Sequence, residues 1–265
     1  MIKIKYLGTC SGTEPMPAMH HCSLIFEIGN SIYWFDAGEN CAHAAYTSGV
    51  DVMKARTLFI SHAHSDHTCG LPALLCLFQK LMRRYKTELA HDNTLELFIT
   101  EPEVFEAAKV FCFGGATPER KPALRFNVNV HGIADGLIYE DENVKVSAIH
   151  NTHLKEDGSN GWHAYSFLIE AEGKRIVFSG DVGKPCEIDS LLEGGCDLLI
   201  METGHHKVSD VCEYAISRGA KELRFNHHGR EILNDRPAAE ALIASYTVKS
   251  GMPIKLCFDG MTDEI

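Results

Sequence analysis

Short apolar runs with strand-like alternation recur along this chain, and between several of them the apolar spacing lengthens to that of a helix. The opening Met1-Ile2-Lys3-Ile4-Lys5-Tyr6-Leu7 predicts a strand over residues 2–7. Strands at 22–28 and 32–35 are expected next, joined by Gly29-Asn30, a pair suited to a hairpin turn. The run Thr57-Leu58-Phe59-Ile60 predicts a buried strand. Residues 70–84 predict a helix, because Leu71, Leu74, Leu75, Phe78 and Met82 share one stripe at helical spacing. A further helix is expected after Thr100, whose Thr-x-x-Glu run to Glu103 matches a capping box. The second half predicts strands at 144–149, 165–170, 175–179, 197–201, 223–226 and 254–258, with helical patterns between several of them. Residues 155–161 read as a flexible loop, and Trp162 as a core anchor.

Two strand-rich halves, each followed by helices, predict the α/β class: two sheets face to face with helices outside, a four-layer α-β-β-α sandwich. No linker rich in Pro, Gly or Ser divides the chain and no short-period repeat runs through it, so residues 1–265 are expected to form a single domain. With 265 residues, 45% of them hydrophobic, there is ample material for a continuous core. Alternation at the N-terminus is unlike a secretory signal, and no window approaches the roughly 18 apolar residues of a membrane span. A cytoplasmic protein with no membrane partner is expected. Ten cysteines without a Cys-x-x-Cys pair read mostly as buried thiols. A net charge of −11 opposes a row of polyphosphate contacts and favours a small anionic substrate over a long nucleic acid.

The densest chemistry is Ser61-His62-Ala63-His64-Ser65-Asp66-His67, directly after the buried run. Imidazoles and a carboxylate crowded at a strand end cost several kcal/mol in desolvation unless they share a cation. Further donors follow other predicted strands: His150-Asn151-Thr152-His153, Ser179-Gly180-Asp181 and His227-His228. Strand ends on a rigid sheet hold such donors while their loops leave one side open, so the set reads as a preorganised binuclear centre. At the last pair His227 is preferred, because Leu223, Phe225 and His227 share strand parity.

The His-x-His-x-Asp-His run with its separated His, Asp and His motifs resembles the metallo-β-lactamase superfamily over almost the whole chain. Leu7-Gly8-Thr9 and Phe35-Asp36-Ala37-Gly38-Glu39 resemble the opening motifs of the branch containing ribonuclease Z and related phosphodiesterases. The resemblance implies that His62, His64 and His153 hold one divalent ion, that Asp66, His67 and His227 hold a second, and that Asp181 bridges them. His153 is taken over His150 because the third motif of that family places an Asn or small residue before a loop. Asp36 would brace the ligand loop by hydrogen bonds. The donors accept Zn, Mn or Fe, with zinc the default.

Two such ions share a water and lower its pKa, so a metal-bridging hydroxide is the expected nucleophile on a phosphodiester, with Asp66 part of the catalytic centre. A leaving alkoxide also needs a proton, and His205, His206 and His228 are the candidates, with Glu202 to orient one of them. The tRNA-processing enzymes carry His-Glu-Ala-Thr where this chain has Met201-Glu202-Thr203-Gly204, and a long arm where His153 and Asp181 here stand 28 positions apart (153 to 181). Armless relatives include cyclic-ribose phosphodiesterases and phage-type enzymes that cleave cyclic nucleotides, so a small nucleotide-like or cyclic phosphodiester is expected. The alternatives are a lactonase or thioesterase on the same scaffold, or a non-catalytic metal-stabilised binding protein. The resemblance also makes a homodimer an expectation.

Overall fold

Alternation at the N-terminus turns Ile2, Ile4 and Tyr6 to one buried face, and Ile2–Gly8 forms the first strand, β1. The computed structural model describes residues 1–114, 123–154 and 161–265. β2 (Ser23–Ile28) and β3 (Ser31–Phe35) pair antiparallel through the Gly29-Asn30 turn, where Gly29 takes φ +60, a value that costs a glycine nothing. β4 (Ala55–Phe59), β5 (Thr94–Phe98) and β6 (Asn127–His131) then add in parallel. The second half contains β7 (Gly136–Glu140), β8 (Val144–His150), β9 (Tyr165–Ala171), β10 (Lys174–Phe178), β11 (Leu198–Glu202), β12 (Leu223–Asn226) and β13 (Ile254–Leu256). The last strand, β14 (Thr262–Glu264), returns to pair with β1.

Among the described residues these strands make two seven-stranded sheets, ordered β14-β1-β2-β3-β4-β5-β6 and β13-β12-β11-β10-β9-β8-β7. Each pairs antiparallel over one half and parallel over the other. Antiparallel neighbours need only tight turns, whereas each parallel step needs a crossover, and the helices enter there. The stripe of helix Leu71–Tyr85 buries Leu71, Leu74, Leu75, Phe78 and Met82 against the outer face of the first sheet, with helix Pro102–Cys112 beside it. Helices Val208–Ser217 and Arg236–Ser250 cover the second sheet in the same way. The four-layer sandwich expected from the pattern is the architecture observed.

Between the sheets lies a third apolar cluster with an aromatic hub. The Phe35 ring stacks on Phe59 at 4.8 Å and meets Phe26, Phe167 and Phe178 edge-on at 5.1, 5.5 and 5.9 Å, so both sheets contribute to one contact set. A buried ion pair ties the C-terminus in: Arg224 Nε of β12 donates to Asp263 Oδ2 of β14 at 2.6 Å.

Some local expectations fail. Helix Pro102–Cys112 forms, but its N-cap is Glu101 without a side-chain cap; the Thr100 hydroxyl bonds Glu101 instead, and Pro102 sets the first turn. Trp162 is 41% exposed and stacks on His150 at 4.0 Å, so it is no core anchor. The short strands β5, β6, β7 and β14 are not marked by the sequence reading; β6 and β7 are outer strands of their sheets, and they bury little. Of the loop expected at 155–161, residues 155–160 lie outside the described residues.

Removing the hub ring leaves a cavity that two sheets cannot both close. Phe35→Ala should therefore lower unfolding stability by about 3–5 kcal/mol in urea titration, and a loss under about 1 kcal/mol would contradict this account of the core.

Candidate metal centre

Strands β4, β8, β10 and β12 end on the same side of the sandwich, and the donor residues sit beyond those ends. His62, His64, Asp66 and His67 follow β4, Asp181 follows β10, His153 lies beyond β8, and His227 is the residue after β12. The bridge between His62 and Ala164 and the bond from Tyr165 N–H to Ser61 O at 3.0 Å join the two sheets at this end.

Two donor groups result. His62, His64, His153 and Asp181 each offer an atom to one, and Asp66, His67, Asp181 and His227 to the other, all within 4.8 Å of one another in each group. In the first, His62 Nε2 and His153 Nε2 lie 3.0 and 3.2 Å from His64 Nδ1. Asp181 Oδ2 is 3.8 Å from His62 Nε2 and 3.6 Å from His153 Nε2. In the second, Asp181 Oδ1 is 3.5 Å from His67 Nε2 and 3.3 Å from His227 Nδ1, and Asp66 Oδ2 is 3.2 Å from His227 Nε2. Asp181 thus turns one oxygen to each group.

Buried Asp36 governs the orientation. Its Oδ1 accepts the Ser61 N–H at 2.7 Å, and its Oδ2 accepts the Ser61 hydroxyl at 3.0 Å and His67 Nδ1–H at 2.8 Å. With Nδ1 donating, the Nε2 of a neutral His67 carries a lone pair, and it faces carboxylate oxygens of Asp66 and Asp181. Acceptors facing acceptors repel unless a positive charge lies among them. Electrostatics agree: burial opposes charge on His67, yet Asp181 and Asp36 hold it well above the ordinary imidazole value. Burial likewise opposes ionisation of Asp66 and Asp181, and His227 and His67 keep both well below the usual carboxylate range. His62 and His153 are instead kept neutral by burial, His153 at about 4, which leaves their lone pairs free to bind.

The residues therefore fit divalent ions. Asp181 Oδ1 and His227 Nδ1 are buried without a hydrogen-bond partner among the described residues, and a cation would satisfy both. Glycines keep the space clear: a Cβ on Gly12 would stand 2.7 Å from Asp66 Oδ2, and one on Gly204 2.7 Å from His227 Nδ1. Asp36 and His227 adopt φ +56 and +50, left-handed values that are strained for residues with side chains and that aim both into this region.

The alternatives left by the sequence occupy different places. His150 bonds Asp135 Oδ2 at 2.7 Å through Nδ1 and belongs to neither donor group, whereas His153 belongs to the first. The parity argument for His227 reaches a residue of the second group for the wrong reason. Leu223 and Phe225 face the outer helices, and His227 joins the donors because its left-handed backbone leaves the strand. His228 is fully buried, its Nε2–H bonded to Cys257 O at 2.6 Å and its pKa lowered by burial to about 4. It cannot meet a substrate and leaves the set of acid candidates.

His205 lines the cavity, 44% exposed at its side chain, with Nδ1 3.0 Å from Oε1 of buried Glu202. That hydrogen bond raises its pKa. His206 turns away, its Nε2–H donating to Val182 O at 3.0 Å. The cavity, about 550 Å³, is walled by Ser11, Gly12, Thr13, Ser65, Gly204, Gly229 and Arg230 besides His205 and four of the donors, His64, Asp66, Asp181 and His227. Ser11, Gly12, Thr13 and Arg230 were not foreseen as site residues. Gly12, three positions beyond Leu7-Gly8-Thr9, was the available signal, and Arg230, which pairs with Glu14 at 2.8 and 2.6 Å, directly follows the His227-His228-Gly229 run.

The family described as anti-Pycsar protein Apyc1 matches residues 2–209. A ribonuclease Z of Methanothermobacter thermautotrophicus is 24% identical, over 86% of each chain. Among solved structures, the metallo-β-lactamase fold protein YhfI of Bacillus subtilis superposes with a TM-score of 0.75 at 14% identity, covering 100% of this chain and 99% of that one. A diphosphatase from the PhnP family gives 0.66 at 16% identity, covering 100% and 98%.

Asparagine tolerates the left-handed backbone of position 36 but cannot accept the same set of bonds as a carboxylate. Asp36→Asn is expected to weaken divalent-ion binding about 10–100-fold in competition with a chromophoric chelator while the fold persists by circular dichroism; unchanged affinity would refute the bracing role.

Proposed function

The chain belongs to the anti-Pycsar protein Apyc1 family and is a ribonuclease Z-like, metal-dependent hydrolase of the metallo-β-lactamase superfamily; from that premise we propose that it is a phosphodiesterase for a small, nucleotide-like or cyclic phosphodiester. In this reading it uses two divalent ions, zinc by default. His62, His64 and His153 hold one, Asp66, His67 and His227 the other, and Asp181 contributes to both. The observation that carries the reading is the pair of donor groups sharing Asp181 at the floor of one open cavity.

Divalent ions bound there supply Lewis acidity towards phosphoryl oxygens and lower the pKa of water. The chain's own residues do the rest. Asp36 keeps Nε2 of His67 pointed inwards, and buried Asn151 holds the His153 loop by accepting its N–H at 3.0 Å. Glu202 anchors His205 at both its backbone N–H, 2.9 Å, and Nδ1, which leaves Nε2 for the cavity. A protonated His205 is stabilised by that carboxylate and delivers its Nε2 proton to the departing alkoxide. Asp66 completes the second donor group on the floor of the cavity, against the loop of Gly12.

The size of the substrate follows from the surroundings. A cavity of about 550 Å³ accommodates a mononucleotide-sized ligand. A net charge of −11 disfavours an extended polyanion, and the 28 positions from His153 to Asp181 already contain β9 and β10, which leaves little chain for an RNA-binding arm. RNA is the second reading, favoured by the ribonuclease Z relative. No feature of the cavity favours a lactone or thioester. Nothing in the fold is a helix long and apolar enough to cross a membrane, among the described residues, and we propose a cytoplasmic location.

Cyclic nucleotides should be turned over, pre-tRNA far more slowly, and lactones and thioesters not at all; a preference for pre-tRNA would reverse the order of the two readings. Asp66→Ala should lose one metal equivalent by elemental analysis together with activity. His205→Ala separates proton donation from folding, because nitrophenolate departs without a proton. It should cost about 10²–10⁴-fold in kcat on a cyclic nucleotide and far less on bis(p-nitrophenyl) phosphate. Equal losses on both substrates would remove His205 as the acid.

A further inference from the structure

Away from the cavity, two thiols meet on the outer face of the first sheet. Cys76 lies on helix Leu71–Tyr85 and Cys112 is the last residue of helix Pro102–Cys112. The two helices share one apolar cluster, with Leu74, Leu75 and Phe78 of the first and Phe105 and Ala108 of the second buried in it. The Cys76 and Cys112 Sγ atoms stand 2.7 Å apart. Among the described residues no other two cysteine sulfurs come within hydrogen-bonding reach: Cys10, Cys22, Cys41, Cys196, Cys212 and Cys257 are buried, and Cys69 and Cys186 are exposed without a thiol partner.

We infer that Cys76 and Cys112 are a redox modification site, closing to an intramolecular disulfide in the presence of a small oxidised disulfide of the glutathione class. A covalent S–S bond is about 2.05 Å long, so the sulfurs need approach by roughly 0.7 Å more. Both residues are half-buried, which lets a small oxidant reach them but shields the pair from a second protein. The thiol form is also a satisfied state. Cys76 Sγ–H points at the Cys112 carbonyl oxygen at 3.4 Å, one of the carbonyls that a helix C-terminus leaves without an intrahelical partner. Two unbonded sulfurs this close repel, so closing the bond needs only a small sulfur movement, with the two helices already packed around the pair.

The exchange balances without further reagents. The two thiols give up two electrons and two protons, the Cys76–Cys112 bond forms, and the oxidant's S–S bond breaks, leaving as two thiols. Burial pushes the Cys112 thiol up to about 12, with Cys76 adding to the effect, so its thiolate is scarce and closure is expected over minutes to hours. The cross-link spans residues 76 to 112 and so encloses the end of one helix, β5 and all of the next helix, a long segment whose unfolded state it constrains. Neither cysteine lines the catalytic cavity, so the modification stabilises the scaffold and leaves turnover alone.

The test takes the full chain into buffer with glutathione disulfide, then counts thiols in denaturant with Ellman's reagent and maps tryptic peptides. The ten thiols of the reduced chain should fall by two, with a peptide pair linked through Cys76 and Cys112. Melting temperature should rise by roughly 5 °C and return on adding dithiothreitol. Cys76→Ser and Cys112→Ser should each abolish the link and the shift while melting, when reduced, close to the parent chain. A map with no 76–112 link overturns the inference, whether all ten thiols persist or Cys69 and Cys186 take up glutathione instead.

Discussion

Buried Asp36 is the contact on which the site depends. Its carboxylate sits at the end of β3 and bonds the backbone and side chain of Ser61 and Nδ1 of His67, and so fixes the loop after β4 in position and the imidazole in tautomer. An ionised carboxylate in so buried a place is costly unless each oxygen is engaged, and here each is. The strained left-handed backbone at residue 36 is sustained by the same bonds, since losing them would leave both the strain and an unpartnered charge.

From that anchor the rest of the centre follows through strand ends. Parallel pairing in each sheet brings β3, β4 and β5 to one side in the first half, and β10, β11 and β12 to the same side in the second. The aromatic hub around Phe35 locks the sheets together immediately beneath. A donor can then be carried rigidly just past a strand end, as Asp181 is three residues beyond β10 and His227 is one beyond β12. The loop of Ser11, Gly12 and Thr13 closes the remaining wall, clamped by His228 N–H to Thr9 O at 2.7 Å and Ser11 N–H to His228 O at 3.2 Å. His228 thus serves the site by building its wall.

Charge supplies the link to function. The chain is acidic overall, yet at the cavity floor carboxylates and imidazole lone pairs converge in a way that calls for cations. Under the proposed function, divalent ions bound there would turn that local excess of acceptors into a receptor for a phosphodiester anion. Glu202 is buried and bonds the half-exposed His205.

Local pattern was enough for the scaffold and for the core of the donor set. Short apolar runs marked most central strands, a helical stripe marked Leu71–Tyr85, and four donors within six residues at 62–67 announced their chemistry, because each of these signals lies within a few neighbouring positions. The tertiary structure alone decided what depends on partners far along the chain. His150 was drawn off by Asp135 and His228 by Cys257, His205 was held at the cavity by Glu202, and the Cys76–Cys112 contact joins two helices across a strand. The parity that seemed to select His227 was undone by one left-handed residue. A sequence records which side chains are available and how they alternate; which two of them touch is set by backbone paths that only the packed sheets determine.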